Sequence, residues 1–230
     1  MTMKGCGCSV FILIALLIST GCHCKAETTI PKDGAESAAI LTLIEQLASP
    51  NPIPDITTQV PDAVYPPKYS YAAQRMVSEA VVTLTGKSLI SIPYLIESLD
   101  DQRYSYTYAV QQHHNATVGD ACFRIIKELL QPYAPWTYMT RKGTDGKTYF
   151  PIDYFWDRFR KTNRYDKDAF RSWWRKHEHL SQSEIQLEVL QQTIAEEKQR
   201  GFTTPEDERK VLTPLLRKAA EITPHSDMRK

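Results

Sequence analysis

The chain has 230 residues, 42% of them hydrophobic, and a formal net charge of +1. That length supports one domain with a real core, or a domain and a tail, and the near-neutral charge excludes a polybasic nucleic-acid binder. The charge is uneven all the same. Acids outnumber bases twelve to eight from His23 to Thr140, bases outnumber acids eleven to six from Arg141 to Leu180, and the two nearly cancel thereafter.

In chain order, Lys4 precedes an unbroken apolar run from Val10 to Ile18, followed by Ser19-Thr20-Gly21-Cys22. A positive charge, a short apolar stretch and small residues make up the layout of an export signal. Nine helical residues reach about 14 Å against a hydrocarbon core of roughly 30 Å, so this run does not span a bilayer. The small residues before Cys22 resemble the lipobox of bacterial lipoproteins. Gly21 and Thr20 suit that pattern, and Ser19 stands where a leucine is usual. The resemblance implies a diacylglyceryl group on the Cys22 thiol, cleavage just before Cys22 and acylation of the new amine. The product would be a lipoprotein held at the membrane and facing the periplasm or cell exterior, each buried methylene contributing about 0.8 kcal/mol. Two other readings stand beside it. Ordinary cleavage after Ala26, with Cys24 and Ala26 as the small flanking residues, would free Glu27 and give a secreted protein; retention of the signal would give an uncleaved anchor. The resulting organisation is a signal peptide over 1–21, a flexible leader over 22–34, a helical domain over 35–222 and a disordered tail over 223–230.

Of the five cysteines, Cys6 and Cys8 fall inside the signal. A bridge between Cys24 and Cys122 is open in an oxidising compartment, whereas the apolar helix face around Cys122 marks it as a buried small hydrophobe. Cys22-His23-Cys24 lacks the second ligand pair of a structural metal site.

The spacing of Ile40, Leu43, Ile44 and Leu47 predicts a first helix, ended by the prolines at 50, 52 and 54. Ala73, Met76, Val77, Ala80, Val81 and Leu84 predict a second, with Gly86 as its stop. Leu89, Ile92, Ile96 and Leu99 mark a third, with Pro93 in its first turn and Asp100-Asp101 at its close. The polar, tyrosine-rich stretch from Gln102 to Thr117 reads as a long loop or a short irregular helix. Val118, Cys122, Ile125, Ile126 and Leu129 form the cleanest helical stripe in the chain. Asp145-Gly146 predicts a short two-strand ribbon between Lys142 and Tyr149. Helical spacing returns at Phe155-Phe159 and at Phe170-Trp173-Trp174, the latter capped by Asp166. Ser181 and Glu184 form a capping box for a helix through Leu187, Leu190 and Ile194 that stops at Gly201. Thr204-Pro205-Glu206-Asp207 opens the last helix, which Pro214 should kink or split. The sum is an all-α fold of antiparallel helix pairs with at most one short β-hairpin. Ser91–Asp101, with its early proline and closing acids, resembles one helix of a HEAT repeat, and Val118–Leu130 could stand as its partner. That resemblance implies stacked helical pairs and a protein-binding role; no second copy recurs at a fixed period.

Catalytic patterns do not assemble. His113 and His114 are adjacent, and His177 and His179 are two apart, neither at the spacing of helical metal ligands. His177 lies near a helix C-terminus, which favours a cation. No serine sits in a nucleophile elbow, and the glycines form no phosphate loop. Asp153 and Asp157 share a helix face, as many solvated pairs do. Asn115-Ala116-Thr117 fits a glycan acceptor only in a eukaryotic secretory route. No metal, cofactor or catalytic group is therefore assigned. Adjacent tryptophans on a helix cannot both face one core, so one of Trp173 and Trp174 packs inward while the other lies on a neighbouring helix or the surface. An exposed tryptophan beside Arg171, Arg175 and Lys176 would mark these five as candidate partner-binding residues or dip into a membrane interface. The reading is an exported, lipid-anchored helical protein that contacts an envelope protein, without nucleic acid. The alternatives are a small envelope hydrolase with a hidden site, and binding of an anionic polymer or lipid headgroups through the basic aromatic segment 141–180.

Overall fold

The computed structural model describes residues 34–56, 64–108, 114–131, 141–149, 156, 158–161 and 164–223. The expectations for the signal, Cys22, Cys24, Ala26, His113, Asp153, Asp157, Phe155 and the tail beyond Thr223 lie outside these residues. Helices α1 (Gly34–Glu45) and α2 (Tyr71–Gly86) come first. A 3-10 turn (Ser88–Ser91) then runs directly into α3 (Ile92–Glu97). Helices α4 (Val118–Leu130), α5 (Lys167–His177), α6 (Gln182–Arg200) and α7 (Pro205–Ile222) follow among the described residues. The chain is thus mainly helical, as its periodicity predicts.

Local chemistry explains most boundaries. Ser70, Asp166 and Thr204 cap α2, α5 and α7 by accepting from the N–H groups of Ala73, Ala169 and Asp207. The Ser181–Glu184 capping box opens α6, and Gly201, at φ 69°, follows its last residue. A second box, Thr117 with Asp120, opens α4. Pro93 lies in the first turn of α3. Pro214 sits inside α7, which continues to Ile222 instead of splitting.

The β content is larger than the single predicted ribbon. That ribbon exists: β3 (Arg141–Lys142) pairs antiparallel with β4 (Thr148–Tyr149). The stretch read as loop or irregular helix instead forms β1 (Tyr104–Tyr108) and β2 (His114–Thr117), antiparallel, with a bulge between Tyr104 and Tyr106. The cause is visible in Tyr104-Ser105-Tyr106-Thr107-Tyr108, an alternating run of residues that suit a pleated, half-buried surface. A third short ribbon joins β5 (Arg160–Lys161) to β6 (Arg164–Tyr165).

The main core gathers around α4. Val118, Ala121, Cys122, Ile125 and Ile126 are fully buried there, against Ile40 and Ile44 of α1, Ala80 and Leu84 of α2, and Leu95 and Ile96 of α3. Trp156, Phe159, Phe170 and Trp174 extend it as an aromatic layer, which Ile185 and Val189 of α6 close. At Gly119 the backbones come too near for a side chain: a Cβ there would run into the Leu99 carbonyl group. The Gly119 N–H donates to the Asp101 carbonyl at 3.0 Å. Further along α6, Leu190 and Ile194 join Val211, Leu212 and Leu215 of α7 in a separate, smaller cluster.

Candidate functional site

The predicted partner-binding group does not stay together at the surface. Helix α5 turns Phe170 and Trp174 into the core, and Trp174 is 6% exposed. Trp173 is half-buried, parallel to Phe170 (5.7 Å, 12°) and to the His177 ring (4.3 Å, 20°). Both tryptophans therefore serve packing: one enters the core and its neighbour covers the core's edge. Arg171 reaches α3, donating to both Glu97 carboxylate oxygens at 2.8 Å while also pairing with Asp168 at 2.6 Å. Arg175 and Lys176 remain exposed. Two solvated cations thus stand beside an internally engaged arginine and two packed rings.

Other described cations of the basic segment are engaged as well. Lys167 donates to the Glu97 carbonyl at 2.7 Å and to Asp100 at 2.9 Å. Lys161 pairs with Asp166, and Arg158 with Glu196. Hydrogen bonds from Arg171 and Lys167 hold the Glu97 and Asp100 carboxyls below their ordinary values. Hydrogen bonding to Arg103, which also binds Glu45, does the same for Asp101. These charges join helices to one another: the acidic end of α3 meets the basic start of α5.

The candidate chemical groups are similarly committed. His177 places Nδ1 2.7 Å from the Trp173 carbonyl and Nε2 2.9 Å from a Glu188 carboxylate oxygen, tying the end of α5 to α6. His114 lies against Tyr108 at 4.6 Å. Cys122 is fully buried, and burial pushes its thiol pKa up, so it is held as the protonated small hydrophobe that the stripe predicts. Asn115 uses its amide inward: it donates to the Pro54 carbonyl at 2.9 Å and accepts from Thr107 at 2.7 Å. A cleft of about 320 Å³ opens beside Thr117, Asp120, Arg160, Lys161 and Tyr165. Its carboxylate is already engaged. Asp120 accepts from the Thr117 N–H at 2.8 Å and hydroxyl at 2.9 Å, and from the Tyr165 hydroxyl at 2.8 Å. That is helix capping braced by a tyrosine. Among the described residues, no three His, Cys, Asp or Glu side chains are grouped to hold a metal ion.

The outer face of α2 has a different character. Val77, Ala80 and Leu84 turn inward. At about 100° per residue, the exposed Tyr71, Ala72, Arg75, Met76, Ser78, Glu79, Val82, Thr83 and Gly86 fill one continuous arc of about 160°. Tyr71 is 70% exposed, Met76 57% and Val82 72%. Arg75 and Glu79 are the only charged residues of this helix, in a chain that is 24% charged. Beside its N-terminus, Tyr65, Tyr69 and Tyr71 meet edge-on or tilted at 4.7–5.8 Å. Depletion of charge around exposed large apolar and aromatic groups is the compositional mark of a protein contact surface. Sequence reading missed it because it placed Met76 on the buried stripe. The available signal was the helix's charge-poor composition, together with Tyr71 and Val82 lying off the arc of Val77, Ala80 and Leu84. No family model, no curated protein and no solved structure matches this chain.

Proposed function

We propose that the chain is an exported helical protein, anchored to the envelope membrane by lipid on Cys22, that acts by contacting other protein through the outer face of α2. The leader supports the anchor: Lys4, the apolar run and Thr20-Gly21-Cys22 fit an acylated cysteine better than a spanning helix. The observation that carries the contact role is the exposure of Tyr71, Met76 and Val82 around only two charges. A solvated helix face ordinarily carries charge at most such positions. Binding of anionic polymers or headgroups through segment 141–180 draws less support, because Lys161, Lys167 and Arg171 already have carboxylate partners.

The test is capture from cross-linked envelope membranes with the full-length wild-type chain and with Val82→Glu. The wild type should retain specific protein that the variant loses, while circular dichroism of the two stays the same. Identical capture by both would overturn the contact role of α2. Arg175→Glu/Lys176→Glu is the matched control and should capture as the wild type does.

A further inference from the structure

We infer that the occupant of the α2 face is a second copy of this chain, with the two α2 helices packed antiparallel about a two-fold axis level with Val77. The inference rests on the contact role proposed for that face and identifies its partner. Arg75 and Glu79 lie on the centre line of the exposed arc, two residues either side of Val77. Antiparallel pairing about that level sets each Arg75 opposite Glu79 of the second copy. Parallel pairing in register would set like charges together, which is repulsive. The flanks agree with the same axis, because a two-fold lying in the interface and perpendicular to the helices returns each flank to itself. Tyr71 and Val82 share one flank, so Tyr71 of one copy comes beside Val82 of the other. Ala72, Met76 and Thr83 share the opposite flank, where the two Met76 side chains meet near the axis. The small residues Ala72, Ser78 and Gly86 leave room for the helices to approach.

Within one molecule, Arg75 and Glu79 pair at 3.5 Å, with side chains 75% and 68% exposed. An exposed pair of this kind contributes little to its own helix, and the order of base before acid is the weaker one for a helical i,i+4 pair. Across a self-complementary interface, the same two residues would be shielded by Tyr71, Met76 and Val82 and would fix the orientation of the helices. One helix pair buries less surface than a stable soluble dimer requires. Confinement of both copies to one membrane by the Cys22 anchor would compensate by raising their effective concentration.

Förster transfer between donor- and acceptor-labelled full-length chains in lipid vesicles, over a series of protein-to-lipid ratios, tests this. The wild type should dimerise reversibly. Arg75→Glu or Glu79→Arg alone should raise the dissociation constant by about tenfold or more. The double variant Arg75→Glu/Glu79→Arg should restore association, and Val82→Glu should abolish it. All three positions are exposed, so circular dichroism should match the wild type throughout. A wild type that stays monomeric, or a dimer indifferent to the single reversals, overturns self-docking. If the wild type is monomeric but Val82→Glu still loses a captured envelope protein, self-docking falls and the contact role stands. If Val82→Glu changes neither readout, both fall.

Discussion

The body around α4 and the arm formed by α6 and α7 share one helix but are held by different means. In the body, twenty-three buried residues among those described form one cluster, drawn from six helices, from Leu47 and Leu99 just beyond α1 and α3, and from Trp156 and Phe159. Its rim is tied by Arg103 to Asp101 and Glu45, by Lys167 to Asp100 and by Arg171 to Glu97. In the arm, five aliphatic residues are buried, with Phe202, Ala219 and Ile222 packed against them. Helix α6 passes from one to the other between Val189 and Leu190. The difference teaches that continuous helix does not imply continuous stability. Cooperative units follow buried contact, so the arm should open at lower free energy than the body.

Four perturbations probe that contrast, in order of expected size. Phe170→Ala removes a fully buried ring between Phe159 and Trp173. It should cost about 3–5 kcal/mol, read as a single lowered denaturant midpoint for the whole chain. Leu212→Ala should cost about 2–3 kcal/mol, but its signature is local: helical ellipticity falls while the fluorescence of the chain's four tryptophans, among them Trp156, Trp173 and Trp174 of the body, keeps its wild-type midpoint. Coincident loss of both signals would show the arm and body to be one cooperative unit. Gly119→Ala forces α4 away from the Leu99 carbonyl and should cost about 1–3 kcal/mol. Because the clash lies inside the body, the loss should again appear as one midpoint.

The smallest effect is electrostatic. Partners in the fold lower the carboxyl pKa values of Glu97, Asp100 and Asp101. The unfolded chain therefore binds protons more readily. Their contribution is complete above the ordinary carboxylate range near about 4 and is lost as pH falls through the depressed folded values. Arg103→Gln removes the partner of Asp101 and should move the acid-unfolding midpoint of the tryptophan signal slightly upward in pH. Helical ellipticity of the arm should not follow that shift. A variant whose acid transition matches the wild type would mean that the Arg103 cluster contributes nothing to holding the body together.

The sequence was most legible where one physical signal acted alone. Val118, Cys122, Ile125, Ile126 and Leu129 repeat at helical spacing, and all are buried. Ser181 with Glu184, Asp166 and Thr204 announce helix starts through local hydrogen bonds that depend on nothing distant. Tyr104 to Thr117 was harder to read, because its strand pairing joins two segments across an intervening stretch and neither segment carries an apolar run. Of the two outcomes open at Pro214, a kink or a split, the split does not occur: Val211, Leu212 and Leu215 pack on both sides of it, and tertiary burial offsets the lost hydrogen bond. The candidate site was less legible still. Trp173 and Trp174 leave packing and partner binding both open in one dimension, and only Glu97, seventy-four residues from Arg171, reveals that the neighbouring arginine is engaged. Conversely, Tyr71, Met76 and Val82 look like ordinary apolar residues until Val77, Ala80 and Leu84 define which side of α2 is filled.

The functional account depends on the body being presented at a membrane surface by its N-terminus. An intact mass spectrum of the mature protein from membrane fractions tests this most directly. The account predicts a chain that begins at Cys22 and carries the added mass of a diacylglyceryl group and an amide-linked acyl chain. An unmodified chain that begins at Glu27, or an intact chain from Met1 recovered from the cytosol, would contradict it.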